Sequence, residues 1–166
     1  GGGFATMIDE LDPLPAEQVR RVVFCSGKVY FDLLQARRAG QLGEVAIVRI
    51  EQLYPFPARE YSAVLARYAR ATDLVWCQEE PQNQGAWFQI RHRLQELAGD
   101  GRPVYYAGRP PAAAPATGLM RIHQAEQQRL VQAALTAAPA DRDEHRPVRP
   151  SVVASAPAIT KQRKNS

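Results

Sequence analysis

The amino-acid sequence predicts an α/β domain whose mostly parallel sheet carries helices on both faces. Four short apolar runs alternate with four helical patterns, which is the order that parallel strands joined by crossover helices require. The apolar runs are continuous rather than alternating, as in strands that are buried on both faces. Hydrophobic residues make up 45% of the 166 residues, which is enough for one core of this kind.

The first half of this pattern contains two strands and two helices. The first apolar run ends at Ser26-Gly27, which is typical of a strand that turns into a helix. Gly40 marks the end of the helix that follows. Pro55 and Pro57 close the second strand, and apolar residues at i, i+3, i+4 and i+7 then predict an amphipathic helix. In chain order, these elements are predicted over 21–25, 28–39, 45–50 and 58–70.

The second half repeats this alternation. Strands are predicted over 73–77 and 103–107 because both runs are short and apolar. Helical spacing marks the third helix at Trp87, Ile90, Leu94 and Leu97. A proline- and alanine-rich loop over 108–118 then leads to a last helix over 120–137. We expect the inner side of this helix to carry Met120, His123, Gln127, Leu130 and Val131.

The flanks of the domain differ from it in composition. We divide the chain into a leading segment over 1–18, a domain over 19–137 and a tail over 138–166. Residues 9–15 of the leading segment are acidic and broken by prolines, which predicts irregular structure. The tail lacks apolar periodicity, which predicts disorder. The chain opens on three glycines without an initiator Met, so we expect it to be a fragment or a processed product.

Charge, cysteine usage and hydropathy exclude several classes of function. From Pro139 onward six basic and three acidic residues give +3, which leaves only +1 of the net +4 for the rest of the chain. A nearly neutral body does not predict a nucleic-acid interface. Cys25 and Cys77 lie in apolar runs, which favours buried, reduced thiols. No apolar run approaches the roughly 20 residues of a membrane span, and no signal peptide is recognisable, so we expect a soluble intracellular protein.

Two motifs that resemble ligand sites are better explained as turns. The stretch 25–28 joins a strand to a helix, and Lys28 adds a charge near that helix start, but the spacing of a P-loop is absent. The triplet 99–101 reads Gly-Asp-Gly, which opens the thiamine diphosphate motif. That motif needs an Asn about 25–30 residues later, and the chain has only Asn83 and Asn165. We therefore predict no metal site and no catalytic residue in this chain.

Strand ends carry the remaining candidates for chemistry. Glu79 and Glu80 are adjacent on an extended chain and point in opposite directions, which favours a structural or interface role over a shared acid–base site. His123 falls on the apolar side of its helix, which favours a core or interface histidine. Arg49 and Arg109 lie near strand ends, where they could converge with Lys28 on a phosphate-bearing ligand. The alternative is that each Arg pairs with a local acid, which for these two would be Glu51, Glu79 or Glu80.

Taken together, four strand-end segments resemble the last domain of the first, decarboxylating component of the 2-oxoglutarate dehydrogenase complex. The resemblance covers about residues 4–137, and the preceding stretch IDELDPLPAEQVRR also fits it. The four segments are CSGKVYFDL (25–33), VAIVRIEQLYPFP (45–57), VWCQEEPQNQGAW (75–87) and YYAGRPPAAAPATG (105–118).

This resemblance implies a fold like the transketolase carboxy-terminal domain. It also implies a parent homodimer that uses thiamine diphosphate and magnesium to decarboxylate 2-oxoglutarate, and that passes the succinyl group to the lipoyl succinyltransferase component. Both cofactors would be held by earlier domains, so no cofactor is expected in this chain, which would be inactive alone. The implied location is the bacterial cytoplasm, or the mitochondrial matrix for a eukaryotic source. The tail over 138–166 departs from the family pattern, and we assign it no role.

The resemblance further implies a role for this domain in dimer assembly and in effector binding. The effector would be acetyl-coenzyme A or AMP, and the matching positions are Ser26, Lys28, Arg49 and Arg109. Two alternatives stay open. The chain could be a stand-alone nucleotide-binding or interaction module, or it could be the equivalent domain of a pyruvate-type or transketolase enzyme. The segments CSGKVY and CQEEPQNQGAW argue against the last of these.

Overall fold

A computed structural model describes residues 3–99, 101–112 and 120–137, with side chains described only from His123 onward in the last range. The described strands form one five-stranded sheet in the order β1-β3-β2-β4-β5. The first strand is antiparallel to β3, and the other neighbours are parallel. The strands are β1 (Met7–Ile8), β2 (Arg21–Cys25), β3 (Val45–Ile50), β4 (Asp73–Pro81) and β5 (Val104–Arg109).

Four helices follow the four parallel strands in turn, and a short 3-10 helix, Ala16–Gln18, precedes β2. The α/β class predicted from the alternating pattern is therefore confirmed. None of the described helices combines the length and the apolar character that a membrane span needs. The helices are α1 (Val29–Gly40), α2 (Ala58–Arg67), α3 (Trp87–Ala98) and α4 (Met120–Thr136).

Each face of the sheet carries its own hydrophobic core. Successive strand residues point to opposite faces, so in β2 Val22 and Phe24 pack on one side while Val23 and Cys25 pack on the other. Helices α2 and α3 cover the first core, and α1 and α4 cover the second. Burial on both faces is the reason that the strands appear in the sequence as continuous apolar runs.

Residues 9–15 of the leading segment are irregular, as predicted, but a short strand that the sequence did not indicate precedes them. Met7 and Ile8 pair with Ile50 and Arg49 at the outer edge of β3. This strand has only two residues and lies next to acidic and proline-rich sequence, so the sequence shows no apolar run there. Only its pairing with β3 defines it.

Three element boundaries also differ from the prediction. Gly40 is the last residue of α1, and the left-handed residue that ends the helix is Gln41, with φ of 53°. Helix α2 stops at Arg67 rather than at residue 70. Strand β4 continues to Pro81, beyond the predicted end at residue 77, because its polar end still pairs with β5.

An acidic strap, residues 9–12, ties the leading segment to the helices on both sides of β3. Asp9 accepts a hydrogen bond of 2.6 Å from Arg67 of α2. Asp12 accepts hydrogen bonds from two arginines of α1, Arg37 and Arg38. The acidic residues that predicted irregular structure are therefore the ones that hold this segment in place.

The tail and the loop over 113–119 lie outside the described residues, so the prediction of a disordered tail stays a prediction.

Candidate functional site

The carboxyl ends of the four parallel strands lie at one edge of the sheet, where folds of this class place their ligands. Ser26-Gly27-Lys28 connects β2 to α1 at this edge. Gly27 has φ of 76°, a left-handed conformation that favours glycine. Lys28 is the N-cap residue of α1 and is exposed. Within the described part of the chain, no ion pair engages its ammonium group, so Lys28 is available to an anionic ligand.

Arg49 lies next to this turn, because it pairs in register with Cys25 of β2. Its side chain forms an ion pair with Glu51, and both side chains are half-buried. The guanidinium group also sits over two aromatic rings of α1, at 4.9 Å from the ring centre of Tyr30 and 5.6 Å from that of Phe31. The alternative raised by the sequence, that Arg49 pairs with a local acid, is confirmed.

Arg109, at the end of β5, is enclosed by one face of α4. Its Nε lies 3.1 Å from a carboxylate oxygen of Glu126, and its Nη2 lies 3.1 Å from Nδ1 of His123. Nη2 also donates a hydrogen bond of 3.3 Å to the side-chain oxygen of Gln127. The side chain of Arg109 is only 10% exposed. Arg109 therefore pairs with an acid, but with Glu126 of α4 rather than with one of the acids that the sequence indicated.

The amide group of Gln127 links α4 to the sheet and to α1. Its Nε2 donates hydrogen bonds of 2.7 Å to Glu79 of β4 and 2.8 Å to Asp32 of α1. Glu79 therefore has the structural role that we expected for it. The expectation for His123 was wrong in one respect, since this residue is exposed and contacts Arg109 rather than lying in the core.

The structure brings the predicted effector residues to one edge but not into one cluster. Arg49 lies near Ser26 and Lys28, whereas β2 and β4 separate β3 from β5. Three strand spacings separate β3 from β5 by about 14 Å, and Arg109 lies two residues beyond the position level with Arg49. One phosphate group is too small to bind all three cations, so they would have to contact different parts of an extended ligand.

Carboxylates also outnumber cations among Lys28, the two arginines and the acidic side chains grouped around them. An anionic ligand would meet three positive side chains together with four negative ones, two of which are already paired with the arginines. The charged side chains here are Lys28, Asp32, Arg49, Glu51, Glu79, Arg109 and Glu126.

Exposed aromatic side chains lie along the same edge. Phe31 lies in the first turn of α1, Phe88 lies in the first turn of α3, and Tyr54 lies in the loop after β3. Tyr54 is 93% exposed and Phe31 is 60% exposed. Exposed aromatic residues are enriched at protein interfaces, so this edge has the composition of a contact surface.

Comparison with known proteins places the chain in a family. The family described as "2-oxoglutarate dehydrogenase C-terminal" matches residues 1–135. This chain belongs to that family. A 2-oxoglutarate dehydrogenase E1 component from Haemophilus influenzae is 51% identical over 135 residues, and one from Cupriavidus necator is 47% identical over 133 residues. These matches cover 81% and 80% of the chain.

The chain spans only 14% of the length of each of these two relatives. Among solved structures, it resembles a split-gene transketolase, described as an inactive β4 tetramer, with a TM-score of 0.51 and 15% identity. That match covers 69% of this chain and 37% of the other. At this identity the likeness supports the fold alone, and it confirms the predicted transketolase-like α/β class.

The family segment CQEEPQNQGAW owes much of its structure to one buried glutamine. The side-chain oxygen of Gln78 accepts hydrogen bonds from the indole of Trp76 and from the backbone N–H of Trp87. Its amide nitrogen donates to the backbone oxygens of Glu80 and Pro81. Gly85 packs so closely that a Cβ atom there would lie 2.4 Å from the Gln78 amide. This segment therefore builds the end of β4.

The described side chains of this 2-oxoglutarate dehydrogenase C-terminal domain do not fit the magnesium ion that accompanies thiamine diphosphate. Among the described residues, no group of three or more His, Cys, Asp or Glu side chains is placed to hold a metal ion. The triplet 99–101 lacks its downstream Asn, and Gly99 is the residue that ends α3. Asp100 lies outside the described residues. We derive no chemical step through either group.

The two cysteines of this family member are buried and reduced, as predicted from their apolar surroundings. They lie side by side, because Cys25 of β2 is in register with Cys77 of β4. Burial raises the pKa of Cys25 to about 12 and also raises the pKa of Cys77. Neither thiol has the thiolate character that a nucleophile needs.

Proposed function

We propose that this chain works as the carboxy-terminal domain of a thiamine-dependent 2-oxoglutarate dehydrogenase, in which it serves assembly and effector binding. The observation that carries the proposal is the 51% identity to an E1 component, of which the chain spans 14%. On this proposal the decarboxylation, with thiamine diphosphate and magnesium, takes place in the much longer remainder of the parent enzyme. The succinyl group then passes to the lipoyl succinyltransferase component, in the bacterial cytoplasm.

The assembly role would use the carboxyl-end edge of the sheet. Phe31, Tyr54 and Phe88 supply apolar area there, and the ion pair of Arg49 with Glu51 lies beside Phe31. Buried aromatic residues surrounded by polar groups are the usual composition of a stable interface. The partners would be the earlier domains of the same enzyme and the second subunit of a homodimer.

The effector role would use the exposed Lys28 at the start of α1, together with Ser26, Arg49 and Arg109. Titration of the folded chain with AMP and with acetyl-coenzyme A, followed by calorimetry, tests it. We expect saturable binding that weakens about tenfold in Lys28→Ala, since one charge-assisted contact to phosphate is lost. The exposed Arg70, which lies between the end of α2 and the start of β4, provides a matched control away from this edge, and Arg70→Ala should bind as the wild type does. Absence of binding by the wild-type chain would contradict the effector role.

A stand-alone nucleotide-binding module is the second candidate, and the accessible turn around Lys28 favours it. Sequencing the DNA upstream of the codon for Gly1 separates the two. An in-frame coding stretch that contains a complete thiamine motif supports the dehydrogenase. A start codon close to Gly1 supports the stand-alone module and contradicts the assembly role.

A further inference from the structure

The side chain of Arg109 is the most heavily engaged cation at the carboxyl-end edge. His123, Glu126 and Gln127 contact it from positions i, i+3 and i+4 of α4, so one face of this helix closes over the guanidinium group. Gln127 extends the network to Glu79 of β4 and Asp32 of α1. Arg109 therefore joins the end of β5 to the amino-terminal half of α4.

Of these contacts, only the one with Glu126 brings a negative charge directly to Arg109. The Nε of Arg109 and the facing oxygen of Glu126 are both shielded from solvent and lie 3.1 Å apart. A phosphate group that approached Arg109 would meet this carboxylate at the same place, and two anions cannot share one buried position at low cost. The side chain of Glu126 is 29% exposed, so it has room to turn toward solvent.

We propose that Glu126 acts as an internal competitor for Arg109, so that a phosphate-bearing nucleotide binds there only by displacing the Glu126 carboxylate. Displacement would also loosen the start of α4 from β5, because Glu126 is the ionic link between them. This inference rests on the proposed effector binding and adds its regulation. Effector binding and the loosening of α4 would then both follow when Arg109 exchanges Glu126 for a phosphate group.

Glu126→Gln tests the competition with almost no change in shape. The variant keeps a hydrogen-bond acceptor for Arg109 but removes the charge. We expect AMP to bind this variant about tenfold more tightly than it binds the wild type, because no carboxylate has to be displaced. Glu96→Gln is the matched control. Glu96 is exposed on α3, 3.9 Å from Arg93, and this substitution should leave AMP binding unchanged.

A double variant separates competition from a general change in charge. Arg109→Gln in the Glu126→Gln background should abolish the gain in affinity, because the released guanidinium group is then absent. Amide hydrogen exchange adds a structural measurement. In the wild type, AMP should accelerate exchange along the first half of α4, and in Glu126→Gln this exchange should already be faster without AMP.

The possible outcomes distinguish this inference from the effector proposal. Binding by the wild type with equal or weaker binding by Glu126→Gln overturns the competition and leaves effector binding intact. Binding by Glu126→Gln alone would show that the Glu126 carboxylate blocks the site, but it would contradict effector binding by the wild-type chain. If neither protein binds AMP or acetyl-coenzyme A, while both retain the wild-type circular dichroism, both proposals fail. A gain in affinity that survives Arg109→Gln also overturns the role given to Arg109.

Discussion

At the outer edge of the sheet, the carboxylate of Glu10 accepts a backbone hydrogen bond that a neighbouring strand would otherwise accept. Strand β1 covers only the last two residues of β3, and the backbone N–H of Ile47 lies beyond it. The side chain of Glu10 accepts that N–H at 2.7 Å and also pairs with Arg37, while only 2% of it is exposed. An edge N–H without a partner would invite pairing with another chain, so Glu10 both satisfies and blocks the edge.

Substitution of Glu10 by Gln should destabilise the fold by about 2 kcal/mol, since the buried Arg37 then keeps only Asp12 as a charged partner. Urea unfolding followed by tryptophan fluorescence measures this change. Glu96→Gln is the surface control and should change the free energy of unfolding by less than about 0.5 kcal/mol. Equal effects of the two substitutions would show that Glu10 does not act as described.

Asp12 makes the stability of the strap depend on pH. Hydrogen bonds from Arg38 and Arg37 lower the pKa of its carboxyl group from 3.8 to about 2. Because the folded pKa lies below the unfolded one, this contribution is complete above about pH 4 and disappears as the pH falls toward 2. Asp12→Asn should therefore reduce the loss of stability between pH 4 and pH 2, as measured by urea midpoints at each pH. An unchanged acid slope would contradict this assignment.

The two cysteine thiols should resist alkylation in the folded chain. A pKa of about 12 for Cys25, against an ordinary value of 9.0, lowers the thiolate fraction at neutral pH about a thousandfold. Both side chains are also inaccessible. Mass spectrometry after iodoacetamide treatment should find no label at Cys25 or Cys77 in buffer and two labels in denaturant. Rapid labelling of the folded protein would mean that this region opens readily.

At the scale of elements, Gln78 is the residue on which the end of β4 depends. Its amide satisfies two donors and two acceptors that are otherwise buried or half-buried. Gln78→Met keeps the length of the side chain but removes all four hydrogen bonds. We expect a loss of about 3 kcal/mol, because buried polar groups without partners are costly.

The fluorescence of the chain offers a direct measurement of this effect. Its two tryptophans, Trp76 and Trp87, are the two donors that share the Gln78 oxygen. Gln78→Met should therefore shift the emission spectrum of the folded state as well as the unfolding midpoint. Gln95→Met is a suitable control, since Gln95 is also buried but its hydrogen bonds go to the backbone of Gly99, Arg102 and Val104 rather than to a tryptophan. A change in stability without a spectral change would argue against the shared acceptor.

Local pattern explains which elements the sequence could predict. The four buried strands were recognisable because burial on both faces makes them continuous apolar runs. Strand β1 was not recognisable, since its two residues are too few to show a periodic pattern. The polar end of β4 was not predicted as part of the strand, because the hydrogen bonds of Gln78 compensate for burial there and leave no apolar signal.

The candidate site was predictable to the same limited extent. The sequence placed Arg49 and Arg109 at strand ends, which is where the structure has them. The nearest acid along the chain identified the partner of Arg49, since Glu51 follows two residues later. The nearest acid along the chain was the wrong partner for Arg109. Glu126 reaches Arg109 only through the packing of α4 against the sheet, and sequence spacing does not determine that packing.

At the scale of the whole molecule, the carboxyl-end edge should make the isolated chain self-associate. Phe31 in α1 and Tyr54 in the loop after β3 are largely exposed, and covering them removes apolar area from water. Sedimentation velocity should therefore show oligomers that increase with protein concentration. The double substitution Phe31→Ser, Tyr54→Ser should shift the chain toward monomer while circular dichroism stays unchanged.

Leu11→Ser provides the control that separates this surface from general hydrophobic association. Leu11 is 63% exposed, similar to Phe31, but it lies in the strap beside α1 rather than at the carboxyl-end edge. If association depends on one surface, removing Leu11 should leave the oligomer unchanged. Loss of association in both variants would mean that exposed apolar area in general drives it. In that case the aromatic residues of the carboxyl-end edge would not form a specific interface. The assembly role would then lose its main physical support.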